Sequence, residues 1–137
     1  MTTLLTYGTF VLFHIGHVNL LFRFAEMADE VIVGSSSDEF NALKGKTCIM
    51  PYEDRVNILR SCRFVSHVFA EHNWEQKQSD VIEFNADMFA MGTNWEGKFD
   101  ELSDLCDVVY LSCTEGVSTT KLKRRVLHRT PGLRMVG

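Results

Sequence analysis

The sequence has no apolar run approaching the roughly 20 residues of a membrane-spanning helix, so insertion into a membrane is not expected. The stretch from Met1 to Gly8 is too short and too soon interrupted for the apolar part of a secretory signal, which points to a cytoplasmic chain. No Cys-x-x-Cys pair occurs. Cys48, Cys62, Cys106 and Cys113 are scattered, which argues against a zinc site and for free thiols in a reducing compartment, with Cys62 and Cys106 as core fillers. Positive charge is not in excess either. A formal net charge of −4 speaks against non-specific nucleic-acid binding. Repeats, low-complexity tracts and internal linkers are missing, so the 137 residues should form one domain, 1–137. The late basic residues Lys121, Lys123, Arg124, Arg125, Arg129 and Arg134 read most simply as a solvated helix face near a C-terminal dipole.

What is present is a globular composition, 45% hydrophobic and 23% charged. A chain of this size can bury roughly two-thirds of its unfolded surface without staples. Strand and helix patterns alternate along it. Residues 4–7 form a short apolar run closed by Gly8 and read as a buried strand. Over 17–28, Val18, Leu21, Phe22 and Ala25 recur at helical spacing. Strands are expected at 30–34, 65–69, 87–91 and 107–111, and helices at 52–62, after Pro51, and at 75–84. Residues 39–51 read as a loop. Ser118 is a suitable N-cap for a last helix to about 127, with a loosely packed tail from about 128. Such alternation implies an α/β fold, a Rossmann-like parallel five-stranded sheet with helices on both faces. In such a sheet ligands collect beyond the carboxyl ends of the strands. The segments there are 8–17, 35–46, 92–95 and 113–120, which are also the stretches of unusual polar content.

His14-Ile15-Gly16-His17 stands between the first strand and the first helix. Two imidazoles three residues apart can face one site, the glycine lets backbone approach a ligand, and the helix N-terminus offers N–H groups to a phosphate. The competing reading is one surface and one core histidine, or a metal pair. Ser118-Thr119-Thr120, after Gly116, could hold a second part of the same polyphosphate or simply cap a helix. Lys44 and Lys46 flank Gly45. On an extended segment they would point to opposite sides and could reach different ligands, or both could be solvated. Trp95, following Gly92 and Asn94, could line a base pocket or be an ordinary buried tryptophan.

Several runs are specific. They are Thr6-Tyr7-Gly8-Thr9-Phe10, His14-Ile15-Gly16-His17, Ser37-Asp38-Glu39-Phe40-Asn41 and Asn73-Trp74-Glu75-Gln76-Lys77. Trp95-Glu96-Gly97-Lys98-Phe99-Asp100 and Thr114-Glu115-Gly116-Val117-Ser118-Thr119-Thr120 join them. Together, from about Leu5 to about Lys123, they resemble the glycerol-3-phosphate cytidylyltransferases, within the wider His-x-Gly-His nucleotidyltransferases. The resemblance implies transfer of a cytidylyl group from CTP, with magnesium brought by the nucleotide, to a small alcohol phosphate, releasing pyrophosphate. It implies CTP contacts at Thr9, Phe10, His14, His17, Lys46, Cys113, Thr114, Ser118, Thr119 and Thr120, and a base pocket near Gly92, Asn94 and Trp95. Lys44 and Lys77 match positions that meet the acceptor phosphate, and Arg55 and Arg63 match basic positions near the site and are assigned with them to acceptor binding. Catalysis would fall to His14, His17 and Lys46, by positioning and charge neutralisation. A homodimer, no protein-held metal, and a product destined for cell-surface polymers are further implications.

The pattern is broken at four places. Val11 stands where the family has aspartate, Cys113 where it has arginine, Thr93-Asn94 where it has Asp-Asp, and Ser66 at another aspartate. A valine cannot orient polar groups and a thiol cannot replace a guanidinium fork. These departures admit three readings: a pocket retuned to another acceptor phosphate, an impaired enzyme, or a non-catalytic nucleotide-binding relative. An adenylyltransferase of the same superfamily is a further alternative, since Asn94 could alter base choice.

Overall fold

A computed structural model describes residues 1–10, 12–45 and 49–112. Five strands form one parallel sheet: β1 (Thr3–Gly8), β2 (Glu30–Ser36), β3 (His67–Glu71), β4 (Met88–Gly92) and β5 (Asp107–Leu111). Their order is β3-β2-β1-β4-β5. The chain moves outward from β1 to β2 to β3, then returns across the sheet to β4 on the other side of β1. Right-handed crossovers running in opposite directions must lie on opposite faces. Accordingly α1 (Ile15–Met27) and α3 (Tyr52–Arg60) pack on one face, and α4 (Gln76–Glu83) and the 3-10 helix Asp100–Asp104 on the other.

Two core clusters follow from the alternation of each strand. On the first face Leu4, Val31, Val33, Val68 and Ala90 meet Leu21, Phe24, Val56 and Leu59. On the second, Leu5, Tyr7, Ile32, Phe89 and Met91 meet Val81, Phe99 and Leu102. Neighbouring residues such as Leu4 and Leu5 are both fully buried because they point to opposite covered faces. Cys62 and Cys106, the free cysteines among the described residues, pack against the first and the second cluster respectively.

The expected α/β fold, its five strands and the helices expected at 17–28, 52–62 and 75–84 are observed, with three differences. Residues 39–51 are not all loop. A short helix α2 (Asp38–Leu43) begins there, with the Ser37 side chain accepting from the Phe40 N–H and Asp38 and Glu39 in its first turn. Six residues are too few for a helical hydrophobic period to show. The second and third strands also run two residues further than their apolar cores suggest, to Ser36 and Glu71. These polar ends are buried, Ser36 at 1% and Glu71 at 4% exposure. Third, the segment from β4 to β5 crosses in two 3-10 helices, Thr93–Trp95 and Asp100–Asp104. The expected helix at 118–127 and the tail beyond it lie outside the described residues.

Candidate functional site

The switch point between β1 and β4 is where the outward path reverses, and the loop from β1 to α1 leaves the sheet there. That loop is held by its own backbone. Phe10 (φ 57°) and Leu12 (φ 50°) are both in the left-handed region that side chains disfavour, at a cost of roughly 1–3 kcal/mol each. Phe10 is retained because its ring is buried, packs edge-on to His17 at 5.2 Å and lies over Gly8. A β-carbon on Gly8 would sit 2.6 Å from that ring, so glycine is required there.

His14 is the N-cap of α1. Its Nδ1 accepts from the Gly16 N–H at 3.0 Å, while the His14 N–H donates to His17 Nδ1 at 3.2 Å. The two rings stack with centroids 3.8 Å apart, and Phe13 stacks on His17 at 5.5 Å. Burial lowers the pKa of His14. Burial, with the charge of His14 second, pushes His17 down to about 4. Both rings are therefore neutral at pH 7. Since each Nδ1 accepts a backbone N–H, the ring proton is on Nε2 in each. The outcome is a pair of Nε2–H donors at a helix N-terminus, an arrangement suited to phosphate oxygens.

Thr9 is held from beneath. The fully buried Arg55 donates to the Thr9 carbonyl at 3.0 Å, to Ser35 Oγ at 3.2 Å, to the Met50 carbonyl at 3.1 Å and to Asp38 at 2.9 Å. Asp38 in turn accepts from the Tyr52 N–H. That bond, followed by the guanidinium, holds its carboxyl below the usual range. Sequence resemblance places Arg55 beside the acceptor. Here its N–H groups face protein acceptors, so it fixes the β1–α1 loop against the starts of α2 and α3. Arg63 is not brought to this site. It is exposed between α3 and β3, at the amino end of the strands, with its guanidinium over Phe64.

Beyond the carboxyl ends of β1 to β4 lies a cavity of about 130 Å³ whose wall includes Lys44, Lys77, Trp74, Trp95 and Phe99. Lys44 and Lys77, which the resemblance matches to acceptor positions, thus line one cavity. Lys77 is only 5% exposed and forms an ion pair with Glu71. Glu71 also accepts from Ser36 Oγ at 3.1 Å, and Lys44 Nζ lies 3.3 Å from the same hydroxyl. Behind them the Tyr7 hydroxyl donates to Asp80, which also accepts from Gln76 at 2.8 Å. Burial first, then the bond to Asp80, raises the Tyr7 pKa far above its ordinary value. Trp95 packs on Phe99 at 5.7 Å and lies 6.4 Å from Trp74. Its ring therefore walls the lysine cavity, whereas Gly92 ends β4 and Asn94 and Thr93 stand exposed on the adjacent 3-10 helix.

Matched against protein families, residues 5–125 fit the model described as cytidylyltransferase-like. The chain belongs to the cytidylyltransferase-like family. It is 51% identical over 126 residues to a glycerol-3-phosphate cytidylyltransferase of Bacillus subtilis, covering 92% of this chain and 98% of the relative. It is 49% identical to the Staphylococcus aureus protein of that name, with 92% and 96% covered. Among solved structures, the lipopolysaccharide core biosynthesis protein of Thermoplasma volcanium superposes with a TM-score of 0.71, covering 84% of this chain and 99% of that one. At 21% identity that likeness concerns the fold alone.

Of the residues that the cytidylyltransferase resemblance singles out, Lys46, Cys113, Thr114, Ser118, Thr119 and Thr120 lie outside the described residues, as does Val11. Ser66, at one of the departures, accepts from the Val31 N–H at 3.1 Å and so does an acceptor's work at the sheet edge. Glu71, Asp80 and Ser36 were not reached by sequence reasoning. A signal exists: Gln76 and Asp80, four apart on α4, share a face, with Lys77 and Asp80 buried beside Val81. Among the described residues no group of three or more His, Cys, Asp or Glu could hold a metal. Asp38 and Glu71 are already paired with cations.

Proposed function

We propose that this protein is a cytidylyltransferase that makes CDP-glycerol and pyrophosphate from CTP and glycerol 3-phosphate. The observation that carries the reading is the capped histidine pair. With both Nδ1 atoms accepting backbone N–H groups, His14 and His17 offer two neutral Nε2–H donors side by side. The identity of about one residue in two to glycerol-3-phosphate cytidylyltransferases, nearly end to end, supports the choice of acceptor.

In this reading an oxygen of the acceptor phosphate attacks the α-phosphorus in line. The bond from the α-phosphorus to the bridging oxygen breaks, and pyrophosphate departs with that oxygen. No side chain acts as nucleophile. The backbone at Thr9 and Phe10, fixed from below by Arg55, seats the triphosphate, and the histidines stabilise charge moving onto its oxygens. Lys46, Cys113, Thr114, Ser118, Thr119 and Thr120 are assigned to the rest of the nucleotide, and Gly92 and Asn94 to its base. Lys44, at the mouth of the lysine cavity, neutralises the acceptor phosphate, and Lys77 walls the same space. Magnesium enters on the triphosphate's own oxygens, in keeping with the occupied carboxylates. A cytoplasmic homodimer supplying surface polymers completes the reading. In favour of the dimer, Phe22, which meets Phe64 edge-on, is an exposed apolar residue on α1.

The test is pyrophosphate release with CTP and magnesium across a panel of phosphorylated acceptors. Strong release with glycerol 3-phosphate is expected. Release with another acceptor alone would replace the substrate, and no release with any acceptor despite CTP binding would overturn the enzymatic reading.

A further inference from the structure

The surroundings of the Lys77 ammonium have the composition of a ligand site for a cation. Glu71, 4% exposed, supplies a carboxylate that is already oriented by Ser36. Three ring faces surround the nitrogen, Tyr7 at 4.7 Å, Trp74 at 5.1 Å and Phe99 at 5.5 Å from their centroids. A carboxylate with several aromatic faces is the recognition chemistry for an alkylammonium group. Here the group inside it belongs to the chain. The residues around it, Tyr7, Glu71, Trp74 and Phe99, also wall the cavity assigned above to the acceptor.

We infer that Lys77 is a specificity residue: its ammonium fills a built-in cation pocket and thereby restricts the acceptor to phosphates of uncharged alcohols. Phosphates of amino or trimethylammonium alcohols are refused because their cation meets a like charge and finds its carboxylate and ring faces occupied. A hydroxyl-bearing tail meets neither obstacle, since it can donate to the remaining lone pairs of Glu71 and accept from Lys77. The inference rests on the acceptor reading above.

Three measurements test it. Wild-type protein is assayed with glycerol 3-phosphate and with ethanolamine phosphate, both as acceptor and as competing inhibitor. Ethanolamine phosphate is expected to be at least tenfold weaker on both counts, and equal use or equal inhibition would overturn the inference. In Lys77→Ala, and in Lys77→Met should the alanine variant not fold, the kcat/KM ratio of ethanolamine phosphate to glycerol 3-phosphate is expected to rise at least tenfold. A merely structural lysine would lower both values and leave the ratio unchanged, which would overturn the inference.

The third measurement does not involve turnover. Thermal unfolding is followed in methylammonium chloride and in sodium chloride at equal ionic strength. Methylammonium is expected to raise the Tm of the Lys77 variant by several degrees relative to sodium and to leave the wild type unmoved. No difference in the variant would overturn the cation pocket. If the wild type failed to turn over glycerol 3-phosphate while methylammonium stabilised the variant, the functional reading would fall and the pocket would stand.

Discussion

His17 shows how one side chain can link stability to chemistry. Its Nδ1 accepts the His14 N–H and its ring is enclosed by Phe10, Phe13 and His14, so the charged form is disfavoured. A histidine whose pKa falls on folding, here to about 4, leaves the unfolded chain binding the extra proton. Its stabilising effect is therefore complete above pH 6.5 and is lost as pH falls from there towards 4, by as much as ~3 kcal/mol. Urea unfolding followed between pH 7 and pH 4.5 is expected to show this decline. In His17→Asn the decline should be shallower, and pyrophosphate release should drop at least a hundredfold because a preorganised donor has gone. An unchanged pH profile would mean that the ring is not neutral in the fold. His-x-Gly-His is legible in the sequence as a phosphate-binding motif. Its neutral Nε2–H form is not, because the tautomer depends on which backbone N–H each Nδ1 meets.

At the scale of elements, the strand ends decide what the site contains. Gly34, inside β2, lies where a β-carbon would be 2.5 Å from the Tyr7 ring and 2.9 Å from Phe69. Tyr7 fills that space and reaches across to Asp80 on α4. Gly34→Ala would push the ring from this position, and overpacking of this kind costs about 1–3 kcal/mol. The expected outcome is a lower urea midpoint together with a raised KM for the acceptor and a nearly unchanged KM for CTP, since Tyr7 walls the lysine cavity and not the histidine pair. A raised KM for CTP alone would place the acceptor elsewhere. The apolar runs of β2 and β3 were legible, but their polar continuations to Ser36 and Glu71 were not. Hydrophobic pattern cannot mark a polar residue as buried when its partner, Lys77, comes from another element. The α2 helix carries no pattern of its own for a related reason, being short and defined by the Ser37 cap more than by a periodic face.

For the whole molecule, ligand and fold should be coupled through the switch point, because the loops that would seat CTP leave the sheet there. A ligand that binds only the folded state at 100 times its Kd adds about 2.7 kcal/mol. For a chain of 137 residues that corresponds to a Tm rise of roughly 8 °C. CTP with magnesium is expected to give this shift, and ATP at the same concentration a much smaller one. An equal or larger shift with ATP would move the protein to the adenylyl-transferring branch of its superfamily.

The sequence by itself determined the α/β class, the parallel five-stranded sheet and the place of the two histidines between the first strand and the first helix. Each of these rests on local information: hydrophobic period, turn residues, and motifs spanning a few positions. Only the tertiary structure decided what the charged residues do. Arg55, read as a ligand-facing cation, is buried beneath Thr9 and binds the protein, and Arg63 lies at the opposite end of the strands. Lys77 is paired with a carboxylate from the neighbouring strand inside a ring of aromatics. A buried charge takes its role from the groups that replace its water. In this molecule those groups come from β1, β2, β3, α4 and the segment after β4, which meet only when the sheet has formed.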